Sequence, residues 1–443
     1  MGRPINVVSE RSERSARPQA SPRPRPVIDK ILAAHAGAAA GEVAPGRIVW
    51  IDLDVRSARD FGGANVVEQL RRAYPDGPHL ADPRRTFFTF DCVVPANTIP
   101  YANNQHACRT FARGAGCRVF DVDSGIGSHV VIEQGLAVPG ATVVGTDSHL
   151  NILGAVGCFG QGMGDTDIAF AFKTGRTWFE VPETVKVTLV GTPSARATAK
   201  DLALSLCGRL GSKGLLGRVA ELGGDCIDAL SLAGRVTVCS MATEMGAIAA
   251  IIPPSEEVLA FCGRRAGRPV AGVYADADAD YAAEVAVDVE ALEPQVARPG
   301  RPDDVIPVAE VGDVPIDSVF LGSCTNGRLA DFVTVARVLE GRRVKEGVNC
   351  SAVPATREVY GEMLRLGIVE RLFRAGVNVS NPGCGGCAAG QIGMTGKGEV
   401  QVSTSNRNFA GKQGAGKTYL CSPATAAASA VTGRLCSVAE VLR

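Results

Sequence analysis

The strongest constraint on the fold is an alternation of strand-like and helix-like segments between residues 318 and 379. Three short apolar runs, "SVFLGSC", "VNCSAVPA" and "VNVSNPGC", are separated by the longer segments "ADFVTVARVLEG" and "REVYGEMLRLGIVERLFRAG". This β-α-β order predicts a parallel sheet in an α/β protein. Ligands of such sheets bind at the carboxyl ends of the strands, so the residues that follow each strand are the first candidates for a site.

The chain of 443 residues is long enough for several domains. A new strand–helix unit, "TVKVTLVG" and "TAKDLALSLCGRL", follows Pro182, and a linker rich in Pro and Arg covers residues 297–304. We therefore expect three domains, over residues 27–183, 184–300 and 301–443. Residues 1–26 contain six Arg and five Pro, a composition that predicts a disordered N-terminal tail.

The charge balance argues against several classes of partner. Lys plus Arg and Asp plus Glu both number 46, so no net basic charge would attract nucleic acid or a membrane surface. No apolar run is long enough to span a bilayer. The 14 cysteines are scattered without the spacing of a disulfide framework, which favours a reducing, cytoplasmic location.

Three cysteines stand at predicted strand ends. Cys324 lies in "GSCTNGR", and Cys384 and Cys387 form a C-x-x-C pair in "NPGCGGCAAG". A closed structural zinc site needs four ligands, whereas three thiolates suit a [4Fe–4S] cluster that keeps one iron open to substrate. A redox-active cysteine pair and an unligated turn remain alternatives. The glycines beside Cys384 would let the backbone approach a bulky inorganic group.

A second pattern points to nucleotide binding. Residues Gly411 to Thr418, "GKQGAGKT", match the phosphate-binding P-loop pattern G-x-x-x-x-G-K-[ST]. A P-loop requires a continuous helix after its lysine, and Pro423 would interrupt a helix that starts at Lys417. A P-loop NTPase is therefore the remote alternative.

The order of "GTDSH", "GSCTNGR", "NPGCGGCAAG" and "STSNRNFAGKQG" resembles the aconitase superfamily, in the large-subunit form found in 3-isopropylmalate dehydratase and homoaconitase. "DKILAAHAG", "VVIEQGLAVPG" and "MATEMGA" are similar as well, and the resemblance covers residues 27–443. It implies three α/β/α domains around a central iron–sulfur cluster cleft. No segment after Cys421 resembles the swivelling domain that carries the family's catalytic serine, so a separate small subunit is implied.

The resemblance also implies an activity and a set of site residues. The activity is the reversible removal and addition of water across a carbon–carbon bond of a hydroxy di- or tricarboxylic acid. The implied residues fall into three groups: catalytic Asp91, Asp147, His149 and Glu244; substrate-binding Arg59, Ser148, Asn326, Asn406, Arg407 and Lys412; and cluster-ligating Cys324, Cys384 and Cys387.

Several positions depart from the family pattern. Cys92 and Ser128 stand where the family has histidines, and His129 follows one residue later; Arg59 replaces a glutamine, Ser240 an asparagine, and Lys412 an arginine. Histidine is the side chain that exchanges protons most readily near neutral pH, so these changes favour a hydroxy acid of a specialised pathway. A non-catalytic relative that senses iron or binds RNA is the alternative.

Overall fold

The computed structural model describes residues 6–10, 23–77, 79–387 and 391–442. The first strand, β1 (Asn6–Glu10), lies within the predicted disordered tail and pairs antiparallel with residues 283–288. The prediction of disorder is therefore wrong for residues 6–10, which pair with an edge strand of a sheet. The unpaired edge of a sheet can bind a segment whose composition does not predict a strand. Residues 1–5 and 11–22 of the predicted tail lie outside the described residues.

The first unit contains a five-stranded parallel sheet and a separate two-stranded antiparallel ribbon. Its strands are β2 (Ile48–Asp52), β3 (Val55–Arg59), β4 (Thr86–Thr89), β5 (Arg118–Phe120), β6 (Thr142–Gly145), β7 (Phe159–Gly162) and β8 (Arg176–Glu180). The parallel sheet has the order β5-β4-β3-β6-β7, and the ribbon joins β2 to β8. Its helices are α1 (Val27–His35), α2 (Gly63–Ala73), α3 (Ile99–Ala115), α4 (Gly127–Glu133) and α5 (Asp165–Thr174).

The β2–β8 ribbon carries both tryptophans of the chain. Trp50 and Trp178 are direct cross-strand partners. Their exposed fractions are 44% and 50%, and Trp50 also contacts the ring of Phe170 at a centroid distance of 5.7 Å. The two indoles therefore form an aromatic pair on the outer face of the ribbon.

The second unit is built on a sheet with the order β1-β12-β9-β10-β11. Its remaining strands, β9 (Thr184–Val190), β10 (Val219–Gly223), β11 (Ala249–Ile251) and β12 (Ala283–Asp288), are mutually parallel. The accompanying helices are α6 (Ala199–Leu210), α7 (Asp225–Asp228), α8 (Leu232–Ser240) and α9 (Glu256–Ala266).

The third unit is a seven-stranded mixed sheet with the order β14-β13-β19-β18-β15-β16-β17. Its strands are β13 (Gln295–Ala297), β14 (Val305–Pro307), β15 (Ser318–Gly322), β16 (Asn349–Val353), β17 (Val377–Val379), β18 (Val400–Ser403) and β19 (Lys417–Cys421). Its helices are α10 (Ser323–Asn326), α11 (Leu329–Val338), α12 (Arg357–Arg365), α13 (Ile368–Ala375) and α14 (Pro423–Thr432). β13 thus joins the third sheet, although its residues precede the predicted boundary at residue 300.

The predicted P-loop does not have the geometry of a phosphate site. Lys417 and Thr418 lie in strand β19, where a P-loop would begin a helix. The next helix, α14, starts only at Pro423, and the hydroxyl of Ser422 caps it by accepting from the backbone nitrogen of Thr425. Proline is favoured in the first helical turn, so Pro423 starts this helix instead of interrupting one. The nucleotide-binding alternative is therefore excluded by the fold of this segment.

The backbones of the first two units are in direct contact near Gly154. A β-carbon added to Gly154, which lies in the turn of helix over residues 150–156, would stand 1.6 Å from the carbonyl oxygen of Ala250 in β11. The carbonyl oxygen of Gly154 accepts a hydrogen bond of 3.0 Å from the backbone nitrogen of Ile252. One hydrophobic cluster runs continuously through both units. Among the described helices, none is long and apolar enough to cross a membrane.

Candidate active site

The carboxyl ends of three neighbouring parallel strands place an arginine between two carboxylates. Arg59 ends β3, and Asp91 and Asp147 follow β4 and β6. The guanidinium of Arg59 donates from Nε to Asp91 Oδ1 at 2.7 Å and from Nη1 to Asp147 Oδ1 at 3.1 Å. Burial raises the pKa of Asp91 to about 6, although Arg59 opposes the shift. Burial opposes ionisation of Asp147 as well, but Arg59 and His149 lower its pKa below the usual range.

The three predicted cluster cysteines come from strand ends of the third unit and are all buried. Cys324 follows β15, next to Ser323, which has a positive φ of 77° that side chains rarely adopt. Asn406 connects two of the thiols: its Nδ2 donates to Cys324 Sγ at 3.2 Å, and its Oδ1 accepts from Cys387 Sγ at 3.4 Å. Arg59 reaches the third thiol, because its Nη2 donates to Cys384 Sγ at 2.7 Å.

The three thiols are not arranged around a single ion. Thiolates around one zinc ion lie about 4 Å apart, given a Zn–S bond of about 2.3 Å. Within the described chain, the ligand atoms of Asp60, Asp91 and Cys92 lie within 4.8 Å of one another, whereas the sulfur atoms of the three thiols are not all this close. Burial raises the pKa of the Cys324 and Cys384 thiols above the ordinary value, although the charge of Arg59 opposes the shift, and a bound cationic group would favour the thiolate further.

The Asp60 group does not resemble a metal site, despite its compactness. The carboxylate of Asp60 accepts hydrogen bonds from the backbone nitrogens of Cys92 and Val93 and from the amide of Gln105. Its oxygens are thus used in fixing the turn after β4, the turn that positions Asp91.

The glycines around Cys384 are required by the packing of the loop. A β-carbon on Gly385 would lie 2.7 Å from the Phe320 ring, and one on Gly386 would lie 2.8 Å from the carbonyl oxygen of Gly393. Gly385 also has a positive φ of 58°. The sequence argument assigned these glycines to close approach of an inorganic group, whereas the contacts that exclude a side chain here are made by the protein itself.

A second group of side chains connects the first and second units to the loop after β18. Nε2 of His149 donates to Glu244 Oε1 at 3.0 Å, and Nε of Arg407 donates to the same oxygen at 2.9 Å. His149 Nδ1 lies 3.3 Å from the hydroxyl of Ser148, and the backbone nitrogen of His149 donates to Asp147. Burial opposes ionisation of Glu244, but the hydrogen bond from His149 and the charge of Arg407 lower its pKa.

Two predicted substrate-binding residues are placed differently. The amide nitrogen of Asn326 donates hydrogen bonds to Thr237 Oγ1 at 3.2 Å and to Asp331 Oδ1 at 2.9 Å, so it faces α8 and α11. Lys412 is half-buried in the loop between β18 and β19, where its backbone nitrogen donates to the carbonyl of Phe409. Neither residue makes a direct contact with the His149–Glu244–Arg407 group.

The residues at the departing positions have specific partners. The thiol of Cys92 lies 3.5 Å from Asp91 Oδ1, whereas the buried hydroxyl of Ser128 has no hydrogen-bond partner among the described residues. His129 does not replace the missing histidine, because its Nε2 donates to the carbonyl oxygen of Cys324 at 2.9 Å and its Nδ1 accepts from Arg328. Burial and the charge of Arg328 lower the pKa of His129 to about 3, so it stays neutral.

Lys200 is a functional candidate that the sequence analysis missed. Its fully buried ammonium donates to the backbone carbonyls of Ser405 at 2.6 Å and Thr404 at 3.3 Å. Burial lowers its pKa to about 8. Lys200 thereby connects α6 of the second unit to the segment that presents Asn406 and Arg407. A lysine in the first turn of an amphipathic helix has no pattern that marks it as buried, so the sequence offered no signal for this role.

A cavity of about 370 Å³ lies beside the site. Ser148 and Thr243 line it on the side of the His149–Glu244 pair, and Gln161 and Met163 line it on the side of β7. Ser148, on the wall of this cavity, connects it to the catalytic group, because its hydroxyl lies 3.5 Å from Nη1 of Arg407.

The chain is similar to known proteins over most of its length. The chain matches the model of the aconitase family (aconitate hydratase) over residues 29–313 and 309–433. It is 43% identical over 412 residues to the probable 3-isopropylmalate dehydratase large subunit of Methanothermobacter thermautotrophicus, covering 92% of this chain and 97% of that protein. It is 42% identical to the probable methanogen homoaconitase large subunit of the same organism, over 92% and 96% of the two chains. The 3-isopropylmalate dehydratase large subunit of Methanoregula boonei is 41% identical over 94% of this chain and 99% of that protein.

Proposed function

Because the chain belongs to the aconitase family, we propose that it is the large, catalytic subunit of a hydro-lyase that moves water across a carbon–carbon bond of a hydroxy di- or tricarboxylic acid. One observation carries the proposal: three buried thiols and the His149–Glu244–Arg407 group are linked by the hydrogen bonds of Asn406, Arg59 and Asp147 and by the adjacency of Asn406 and Arg407 in sequence. Related large subunits named for isopropylmalate and for homoaconitate are almost equally similar, so the substrate belongs to this class of acids.

The three thiols would hold a [4Fe–4S] cluster through Cys324, Cys384 and Cys387. Such a group supplies a Lewis acid that makes a hydroxyl a better leaving group. Asn406 keeps Cys324 and Cys387 in a fixed relation, and His129 orients the backbone of Cys324 from the far side. The protein thus fixes the ligands through hydrogen bonds to both their side chains and their backbone.

The remaining groups bind and orient the substrate and move protons. Arg407 presents a planar guanidinium that pairs with a carboxylate in two parallel hydrogen bonds. Glu244 holds both Arg407 and His149, so the imidazole has a fixed tautomer with Nε2–H toward Glu244 and Nδ1 toward Ser148. In this tautomer Nδ1 carries no proton, so it can accept one from the Ser148 hydroxyl or from a water that adds to the substrate, and in the reverse direction the imidazolium formed in this way can return that proton to the departing hydroxyl group.

The proposal includes a small partner subunit that carries the base. The relatives are named large subunits, which supports a two-subunit enzyme. We assign to the partner the swivelling domain and the catalytic serine that remove the proton alpha to a carboxylate. The unpaired state of all 14 cysteines is compatible with a cytoplasmic location, which stays a prediction.

The decisive experiment is anaerobic reconstitution with iron and sulfide. We expect a broad visible absorbance that each of the changes Cys324→Ser, Cys384→Ser and Cys387→Ser abolishes. Cys226→Ser, on α7 of the second unit, is the matched control and should keep the absorbance. Stoichiometric zinc without iron in protein purified under argon would contradict the proposal. Activity is then tested with the small subunit on a panel of hydroxy di- and triacids, where the absence of any turnover would favour a non-catalytic, iron-sensing role.

A further inference from the structure

Arg59 is hydrogen-bonded to one of the proposed cluster ligands, since its Nη2 lies 2.7 Å from the sulfur of Cys384. We propose that Arg59 is a positioning residue for the iron–sulfur cluster: it holds Cys384 by a hydrogen bond to the sulfur and keeps a positive charge beside it. This inference rests on the cluster of the proposed function. It assigns to Arg59 a role other than the binding of a substrate carboxylate.

Three of the five N–H groups of the Arg59 guanidinium, one on each nitrogen, are already used by protein partners. Nε, Nη1 and Nη2 each donate to a different partner, respectively Asp91, Asp147 and Cys384, at 2.7, 3.1 and 2.7 Å. The side chain is only 13% exposed. Its backbone is fixed too, because its nitrogen donates to the hydroxyl of Thr146 at 2.9 Å. A substrate carboxylate that displaced none of these partners would have only the two remaining Nη hydrogens of a largely buried side chain to bind.

The Arg59–Asp91 pair holds Cys384 at two points. Arg59 contacts the sulfur, while the backbone carbonyl of Asp91 accepts a hydrogen bond of 2.8 Å from the backbone nitrogen of Cys384. Asp91 is anchored in turn, since its Oδ2 accepts from the backbone nitrogen of Gly127 at 2.8 Å. The first unit thereby determines where a ligand from the third unit lies, although the two residues are 325 positions apart in sequence.

The contact has an electronic consequence. A hydrogen bond to a coordinating sulfur draws electron density from the thiolate, and a nearby positive charge stabilises the more electron-rich state of the cluster. Both effects make the cluster easier to reduce and harder to oxidise. Arg407 differs in this respect, because its hydrogen bonds go to Glu244 and Ser148 and none goes to a thiol.

The test compares cluster potentials in Arg59→Gln, Arg59→Lys and Arg407→Gln after anaerobic reconstitution. Midpoints are measured by a redox titration followed by electron paramagnetic resonance. We expect Arg59→Gln to shift the midpoint to a more negative value and to lose its visible absorbance several-fold faster in air than the unchanged protein. Arg59→Lys should lie between the two, because it retains the charge without the planar fork. Arg407→Gln should raise KM and shift the midpoint less than Arg59→Gln, because the charge of Arg407 acts on Cys324 without a hydrogen bond to a thiol.

The possible outcomes separate the two proposals. Unchanged protein that binds no cluster contradicts the proposed function itself. If the unchanged protein binds the cluster, and Arg59→Gln has the same midpoint and the same air stability, the proposed role of Arg59 is wrong. A raised KM in that variant would then assign Arg59 to substrate binding. Far-ultraviolet circular dichroism shows whether Arg59→Gln is folded. If it is not, Arg59→Lys is used for the test. A midpoint of Arg59→Lys equal to that of the unchanged protein would then contradict the role of Arg59.

Discussion

At the scale of single residues, the site depends on a few side chains that each have two partners. Glu244 accepts from His149 and Arg407 with one oxygen, so the orientation of the imidazole and that of the guanidinium are set together. A change in either donor therefore affects the other. This arrangement makes Arg407 the most direct test of how a substrate carboxylate is held.

We expect Arg407→Lys to lower kcat/KM by an amount that corresponds to a loss of roughly 2–3 kcal/mol in apparent transition-state stabilisation. The ammonium group of lysine keeps the charge but cannot form the paired hydrogen bonds of the guanidinium. The measurement is steady-state kinetics with the small subunit and the most active acid of the panel. Arg298→Lys is the matched control, since Arg298 pairs with Asp304 at the surface. Equal kinetics of Arg407→Lys and the control would show that Arg407 does not bind the carboxylate.

The sequence motifs predicted most of these residues, but they could not give the direction of every side chain. The strand-end positions of Cys324, Cys384 and Asp147 follow from local patterns, and in the structure Arg59 is hydrogen-bonded to both Asp147 and Cys384. Asn326 lies in the motif of Cys324, yet its amide nitrogen turns toward Asp331, and His129, next to the departing position Ser128, turns toward Arg328. A one-residue rotation on a short helix decides which side chain faces the cleft, and this depends on the packing of other elements.

At the scale of elements, α4 carries a buried acid at its C-terminal end. Glu133 Oε1 accepts a hydrogen bond of 2.9 Å from the Thr356 hydroxyl and lies 3.9 Å from Arg328. Burial raises the pKa of Glu133 to about 7, although Arg328 opposes the shift. The folded protein therefore retains a proton on Glu133 at pH values where the unfolded chain has released it.

This proton makes stability depend on pH in a defined direction. Between the ordinary glutamate pKa of about 4.5 and the folded value of about 7, the folded state binds more protons, so the free energy of unfolding falls as pH rises. The total effect is on the order of 3 kcal/mol. Melting temperatures measured from pH 5 to 8 should fall less steeply in Glu133→Gln than in the unchanged protein. Glu68→Gln, an exposed position on α2, should retain the original slope, and a slope unaltered by Glu133→Gln would contradict the assignment.

Element boundaries show where local sequence rules were sufficient and where they failed. Helix α5 ends at Gly175, whose φ of 73° terminates it, and the following "RTWFE" forms β8. The long segment predicted after β16 divides at Gly367, with a φ of 66°, into α12 and α13. Glycine in the left-handed region is a strong helix terminator, but a sequence alone does not show which glycines adopt it.

At the scale of the whole molecule, the close approach at Gly154 holds the first two units together. Gly154→Ala places a methyl group against the carbonyl of Ala250, so the two units must separate locally. We expect a loss of about 1–3 kcal/mol in the free energy of unfolding, typical of overpacking, or more if the backbone cannot move. Thermal unfolding measures it. Gly114→Ala, in α3 with no neighbouring atom within 4 Å of the new methyl group, should keep or slightly raise stability. Similar melting temperatures of the two variants would contradict the interface role of Gly154.

The assembly of the site from three units also explains what sequence alone could not provide. Parallel sheets were predicted for the third unit, and the strand ends marked the chemistry. Which sheets face each other is set by contacts between distant residues, such as Lys200 with Ser405 and Arg59 with Cys384. These contacts are hydrogen bonds from buried cations, which no periodicity or propensity reveals.

The tryptophan pair on the β2–β8 ribbon determines what the intrinsic emission of this protein reports. Trp50 and Trp178 are the only indoles of the chain, and both lie half in contact with water on one ribbon of the first unit. Fluorescence excited at their absorption band therefore samples hydration at a single patch, and neither indole belongs to the thiol cleft. A soluble quencher such as iodide should reach both rings, and any macromolecule that covers this ribbon should shield them and shift their emission to shorter wavelength. The tryptophan fluorescence of this protein therefore reports on this one face of its surface.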